Sequence, residues 1–485
     1  MSILEFNVMS INFLKNNSTL LEESEILMEQ LFPICRSITG NGVRESLSIL
    51  QDISNFKINE IKSGIECFDW IIPDEWNVKS AYVEDENGNK ILDFKNNNLH
   101  LLNYSIPIDK IITFDELEKH VYTLPNLPDA IPYRTSYYSR NWGFCMSHDQ
   151  FQSLDRNLKY HVKIDTSLKP GSLTYGEETI HGESGIEFIF SSYCCHPSLA
   201  NDNLSGMILW ILLLRELKKR KMKHTYRFTM IPETIGAIAY LHKNQNNVKD
   251  VFGGYILTCI AGPGKFSYKE TFLGNHMLDQ ISKQVLSEFE QDYVLNEFDI
   301  NGSDETHFSS PFFRIPMGTI CKDKYYEFDF YHTSFDNLEF IDSKNIIKSL
   351  EIYLKLIDKL ESTPNSSFKK TNNETKNKST DSIVLRSLNP CCEPMLSKRG
   401  LYPSIGGQVK QMPFKNSGNH NDTNYSLNEK TKNFGVEIDA ISWLMFYADE
   451  KTSIENISKK SKLPIIILKQ TLEKLKKANL IEEIN

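Results

Sequence analysis

Histidines and carboxylates in this chain stand just after short apolar runs. Phe188, Ile189 and Phe190 form an unbroken apolar run expected to be a strand. His196 follows, and Pro197, which lacks a backbone donor, ends any strand pairing. Asp202 and Asn203 then precede Met207, Ile208, Ile211 and Leu212 at helical spacing. The pattern recurs: Tyr226 to Ile231 ends in Pro232-Glu233, Asp304-Glu305 follows a predicted helix over Met277 to Phe289, and His332 follows a predicted strand near Pro316 to Cys321. Ligands in open α/β sheets bind beyond the carboxyl ends of strands. Two imidazoles and a carboxylate converging there suit zinc with an open position for water, and a further carboxylate can take the water's proton. Singly, each residue also has a plain explanation: Asp202 or Asp304 as a helix cap, His196 as an ordinary loop histidine.

The positioning elements can be laid out from periodicity. Two helices are predicted over Ser18 to Ser54, carrying Leu20, Leu27 and Leu31, then Val43, Leu47 and Leu50. Between them, Arg36 to Gly42 is either an anion or substrate loop at a helix N-terminus or a capped turn with a surface arginine. From Ile58 the texture becomes short β runs rich in aromatics, with Glu86-Asn87-Gly88-Asn89 as the clearest hairpin turn. The α/β texture resumes at Lys159, with a turn-rich stretch expected from Gly171 to Gly185 and a late helix carrying Ile346, Leu350 and Leu354. These shifts divide the chain into an α/β core over 1–57 and 159–428, an inserted mostly β domain over 58–158, and a C-terminal domain over 429–485. Polar linkers are expected near 362–380 and 416–428. The C-terminal segment reads as three helices and a short strand starting near Leu480, the order of a winged helix.

Composition narrows the function classes. The 485 residues are 40% apolar and 24% charged, ordinary for a globular protein. A formal net charge of −9 disfavours nucleic acid, although Lys459, Lys460, Lys462, Lys469, Lys474, Lys476 and Lys477 admit DNA contact by the C-terminal domain; a packing or dimerisation face is the alternative. The nine cysteines form no CxxC pair and read as reduced thiols of a cytoplasmic protein. No run reaches membrane-spanning length, and the first residues do not form a secretory signal.

The order His196 … Asp202-Asn203-x-Ser205-Gly206 … Glu233-x-x-Gly236 … Ser303-Asp304 … His332-Thr333-x-x-Asp336 resembles the zinc aminopeptidases related to bacterial leucyl aminopeptidase and glutaminyl cyclase. The chain is more similar still to bacterial aminopeptidase-like proteins associated with polysaccharide biosynthesis. That resemblance is carried by Phe32-Pro33-x-Cys35-Arg36-Ser37-Ile38-Thr39-Gly40, Asp69-Trp70-x-x-Pro73-x-Glu75-Trp76, Ile131 to Tyr138, and Lys398 to Pro403. It implies an aminopeptidase-like mixed sheet flanked by helices, metal ligands at His196, Asp202 and His332, a general base at Glu233, and a cis peptide bond after Asp202. It also places Asp304 and Glu305 near the substrate. One of them would hold a substrate amine or orient a ligand histidine, and helix capping is the alternative.

Two departures stand out. The family's base is followed by a second, metal-binding glutamate where this chain has Thr234, and no carboxylate stands near Thr258-Cys259. One zinc is therefore expected and a second left open, with Cys259 as a buried thiol. The expected function is a zinc-dependent hydrolase of peptide or other amide bonds, acting on a peptide or an amide-containing small molecule such as an acylated amino sugar. The rival is a catalytically degenerate ligand-binding protein that signals through the winged helix. A homo-oligomer is left open.

Overall fold

The structure, a computed structural model, describes residues 19–290, 292–368, 383–401, 406 and 429–484. Its main sheet has eight strands: β1 (Lys57–Lys62), β2 (Ser172–Ile180), β3 (Glu187–Tyr193), β4 (Thr225–Ile231), β5 (Gly253–Ile256), β6 (Ser267–Lys269), β7 (Val294–Asn296) and β8 (Met317–Cys321). Their spatial order is β1-β2-β4-β3-β5-β8-β6-β7. The four central strands β4, β3, β5 and β8 are parallel, and antiparallel pairs flank them on both sides. A central parallel strand is covered on both faces, which is why β3 reads as a continuous apolar run. Phe190 stacks on Phe228 at 5.4 Å and on Tyr255 at 5.7 Å, locking β3 to both neighbours. Gly254 lies opposite Ile189, where a Cβ would come 2.0 Å from the Ile189 carbonyl oxygen.

Helices cover both faces: α1 (residues 19–31), α2 (Asn41–Ile53), α3 (Gly206–Lys218), α4 (Ile235–Val248), α5 (Met277–Phe289), α6 (Glu305–Phe308) and α7 (Ser343–Ser362). One apolar cluster joins α1, α2, α3, α5 and α7 to the sheet; a second joins α4 to the other face and to the insertion. This is the expected mixed α/β architecture, with additional small sheets. Among the described residues no helix is long and apolar enough to cross a membrane.

Strand pairing runs across the expected domain edges. Lys57–Lys62 is the edge of the main sheet, whereas Lys159–Lys169 is an inner strand of the insertion's four-stranded antiparallel sheet. The hairpin at Asn87-Gly88 is present, its Asp85 carboxylate accepting from the amides of Asn87 and Asn89. The expected turns from Gly171 are not: Ser172–Ile180 is β2, paired on both sides. Gly176, Glu177 and Glu178 interrupt its apolar pattern, and backbone pairing overrides that local signal.

Three C-terminal helices, α8 (Glu429–Phe446), α9 (Ile454–Ser461) and α10 (Ile465–Lys477), pack around Leu385, Ile441, Leu444, Ile457, Leu468 and Leu472. Their three-stranded antiparallel sheet takes its middle strand, Val384–Ser387, from well before residue 429, and Ile481–Ile484 is the expected last strand. Of the expected linkers, residues 369–380 and 416–428 lie outside the described residues. Arg314 ties the core to this module. It donates to the Phe446 carbonyl at 2.9 Å and the Asp449 carboxylate at 2.7 Å, and to Ser309 on its own side at 3.0 Å. Arg314→Met should lower unfolding stability by about 1.5–3 kcal/mol. Urea melts followed by C-terminal tryptophan fluorescence at Trp443 check this, and unchanged melts would reduce the tie to a surface contact.

Candidate metal centre

His196 lies three residues beyond the end of β3. Its main chain is held by Arg36, whose Nε donates to the His196 carbonyl at 2.9 Å and whose Nη1 donates to the Leu31 carbonyl at 2.6 Å. Arg36 is only 1% exposed. It is neither a surface arginine nor an open anion site but a buried cation at the C-terminal end of α1, where free carbonyls favour positive charge. Burial pulls its guanidinium down to about 10, so it stays charged at neutral pH.

Asp202 is fully buried, and its peptide bond to Asn203 is cis. The carboxylate caps no helix. Its Oδ1 accepts from the Tyr193 hydroxyl, which also sits 2.6 Å from Thr258 Oγ1. Its Oδ2 lies 3.0 Å from His332 Nε2 and 3.4 Å from His196 Nδ1. The backbone is fixed from behind, since the amides of Asn201 and Asp202 donate to Asp336 at 2.6 and 3.0 Å.

His332 comes from the loop between β8 and α7, and its carbonyl accepts from Tyr133 of the insertion at 2.7 Å. The Tyr133 ring packs edge-on against His196 at 5.2 Å and against His332 at 5.0 Å. Glu233 follows β4. Its Oε1 accepts from Ser303 Oγ at 2.6 Å, its Oε2 lies 3.3 Å from His196 Nε2, and its side chain is 23% exposed.

The donor set fits zinc. Ligand atoms of His196, Asp202 and His332 all lie within 4.8 Å of one another. A tetrahedral zinc with bonds near 2.0–2.1 Å puts its ligand atoms roughly 3.3 Å apart, and the two contacts to Asp202 Oδ2 are 3.0 and 3.4 Å. Asp202 Oδ2 and both ring nitrogens of His332 are buried without hydrogen-bond partners. Each such atom costs about 1–3 kcal/mol, and a cation among them removes that cost. Burial raises the Asp202 carboxyl, but the two histidines outweigh it and hold Asp202 well below the usual carboxylate range. Burial pulls His332 down, whereas at His196 the Asp202 carboxylate and its neighbours outweigh burial and hold the imidazole above its ordinary value, a proton that a cation on Asp202 would displace.

A second group, Cys195, His196 and Glu233, also gathers here. Burial pushes the Cys195 thiol up to about 12 and holds Cys259 well above its ordinary value, so both are neutral thiols wherever no cation lies beside them. Asp304 Oδ1 accepts from the Thr234 amide at 2.8 Å, and Asp304 is buried. Glu305 is 1% exposed, bound by Lys269 Nζ at 2.7 Å, the Tyr325 hydroxyl at 2.5 Å and the Ser303 amide at 2.9 Å. These two carboxylates brace the loop that holds Glu233; Glu305 has no free oxygen to offer a substrate. Tyr193 and Thr258 carry no site signal in the sequence, and Ser303 enters it only within the Ser303-Asp304 motif.

Fold and centre together define an aminopeptidase-like α/β protein. Residues 25–363 match the model of a family described as "Domain of unknown function (DUF4910)", and the chain belongs to that family. It is 39% identical over 470 residues to a Clostridium acetobutylicum protein described as a candidate polysaccharide biosynthesis protein with an aminopeptidase-like domain, a match covering 97% of this chain and 98% of that one. A crystal structure of a candidate peptidase from Clostridium acetobutylicum matches with a TM-score of 0.70 and 36% identity over 100% of both chains. A zinc aminopeptidase of Bacillus subtilis matches with a TM-score of 0.52 and 12% identity, over 71% of this chain and 97% of its own, and so shares the fold.

Purified protein should carry about one zinc per chain, and Asp202→Asn should lose it. Elemental analysis by mass spectrometry checks both. Two tightly held equivalents would place a second ion on the Glu233 side of His196.

Proposed function

We propose that the chain is a zinc-dependent hydrolase of peptide or other amide bonds. The observation that carries this reading is Glu233, a carboxylate held beside the candidate ligand His196 and the most open of the four site residues. Zinc held by His196, Asp202 and His332 would lower the pKa of a water and polarise the substrate carbonyl. Glu233 Oε2 takes a proton from the attacking water and returns it to the departing nitrogen. The Ser303 hydroxyl holds Oε1 and so fixes the rotamer that presents Oε2. Asp304, through the Thr234 amide, fixes the backbone beneath it. Tyr133 walls the two histidines and keeps bulk water from them.

The substrate we infer is a peptide or an amide-containing small molecule. The name of the Clostridium relative brings in polysaccharide biosynthesis, and an acylated amino sugar is the amide-containing substrate we infer from it. We take the C-terminal module as a winged helix used for packing rather than for DNA. Lys474 is already bound to Glu437, and Lys476 to Glu473 and Glu483, so part of the basic cluster is neutralised. We infer a cytoplasmic location, a reading supported by the nine cysteines being free thiols. The rival, a binding protein with a degenerate site, is favoured by Thr234 standing where a second metal-binding carboxylate is expected.

Glu233→Gln should keep zinc and lose roughly 10²–10⁴-fold in kcat on an amide-substrate panel. Loss of zinc in that variant would make Glu233 a ligand instead. Ser303→Ala should lower kcat by about 10-fold with KM and zinc content unchanged, while Ser303→Thr restores the rate. An unchanged rate in Ser303→Ala would remove Ser303 from the positioning of the base.

A further inference from the structure

Residues 131–138 of the inserted domain are bonded to the His332 loop and carry three tyrosines, Tyr133, Tyr137 and Tyr138. Tyr138 is spent within the insertion: its hydroxyl donates to the Ile71 carbonyl at 2.8 Å, and its ring meets Trp70 at 5.3 Å. Tyr133 and Tyr137 form a pair, with hydroxyl oxygens 3.0 Å apart. The Tyr133 ring is the one set against both His196 and His332, so the paired hydroxyls belong to the wall of the candidate metal centre.

Tyr137 is held in an unusual conformation. Its φ is 29°, in the left-handed region that a bulky residue rarely enters. Such a backbone persists only where its surroundings enforce it, and such residues gather at ligand clamps and active sites. The enforcing contacts are present. The Ser136 amide donates to the Asn103 carbonyl at 2.9 Å, and the Ser139 amide to the Ser136 carbonyl at 2.7 Å. The Tyr137 ring meets Tyr104 edge-on at 5.7 Å. Tyr104 in turn stacks on Trp76 at 5.7 Å and donates to the Asp74 carbonyl at 2.6 Å. Tyr133 is 2% exposed, whereas Tyr137 is half-buried and so the more open of the two.

Two phenols hold two protons, and the bond between them uses one. Among the described residues no other acceptor takes the second. Burial above all, and with it the charge of Glu233, raises both phenols well above their ordinary value, so the pair stays neutral and keeps that proton. A fixed, neutral O–H near a carboxylate base is a donor suited to an oxygen that gains charge during reaction.

We propose that Tyr137 is a catalytic residue supplied by the inserted domain, its hydroxyl donating a hydrogen bond to the carbonyl oxygen of the amide being cleaved. As water adds to the carbonyl carbon, the π electrons of the C=O bond move onto that oxygen, and Glu233 takes the water's proton. Tyr137 keeps its own proton, and its hydrogen bond strengthens as the oxygen becomes negative. The C=O bond then re-forms, the C–N bond breaks, and the nitrogen leaves with the proton held by Glu233. Tyr133 is a positioning residue: by donating to the Tyr137 oxygen it turns the Tyr137 proton towards the substrate. This role rests on the hydrolase reading and gives that reaction a donor from outside the α/β core.

The test uses full-length, zinc-loaded protein. Acetohydroxamate, whose oxygens mimic those of the adding water and the carbonyl, is titrated calorimetrically into the parent and into Tyr137→Phe. The variant should bind it roughly 10–100-fold more weakly, with zinc content and melting temperature unchanged. On the amide panel Tyr137→Phe should lose about 10²–10³-fold in kcat with KM nearly unchanged. Tyr133→Phe should lose about 10-fold in kcat, because Tyr137 keeps its proton but not its direction. Equal acetohydroxamate affinity in parent and Tyr137→Phe, or no binding by the parent, would overturn the proposal. Loss of zinc or a lowered melting temperature in Tyr137→Phe would also overturn it, making Tyr137 a structural residue. A parent that cleaves no amide, yet loses acetohydroxamate affinity on Tyr137→Phe, would count against the hydrolase while supporting the Tyr137 donor.

Discussion

A carboxylate removed from water must be compensated where it stands, and Asp202 is such a group. One phenol donates to its Oδ1, while its Oδ2 faces two imidazoles without a hydrogen bond to either, and among the described residues no lysine or arginine forms an ion pair with it. Each partner has to be delivered by a different piece of chain. Tyr193 ends β3 and is steadied by Thr258 beyond β5; His332 comes from the loop after β8. Parallel pairing of these strands brings their carboxyl ends to one edge, so the sheet order is a precondition of the centre.

Around Asp202 runs a frame of further buried charges that never reach the opening. Asp336 fixes the amides before it, Arg36 fixes the carbonyl of His196, and the Lys269–Glu305 pair fixes Ser303. Removing one member of a buried pair leaves the other uncompensated, which is why such frames are rigid. Rigidity matters at Glu233, the one group of the four whose side chain combines solvent access with a fixed hydrogen bond.

The sequence made the centre legible because polar side chains stop apolar runs abruptly at His196 and Glu233. Strand β2 was not legible, since its charged residues look like a loop while its backbone pairs on both sides. The sequence leaves Arg36 between a substrate loop and a surface arginine, and the resemblance puts Glu305 near substrate or at a helix start; both are buried, because helix-end carbonyls and a buried lysine reverse the rule that long charged side chains stay exposed. The Tyr193 contact had no local signal at all, because it spans a chain reversal that only the Asp202 loop creates. Likewise Val384–Ser387 pairs with a strand at the far end of the chain, which no window-based pattern detects.

The insertion holds the His332 loop directly: the Ile131 amide donates to Ser334, and the Tyr133 amide to the His332 carbonyl. These partners are about as far apart in sequence as any pair at the centre, so their contact carries a large loop-closure cost during folding. The grouping of His196, Asp202 and His332 is not preserved by deleting the insertion, because the excision would take away the surface on which the last histidine is seated.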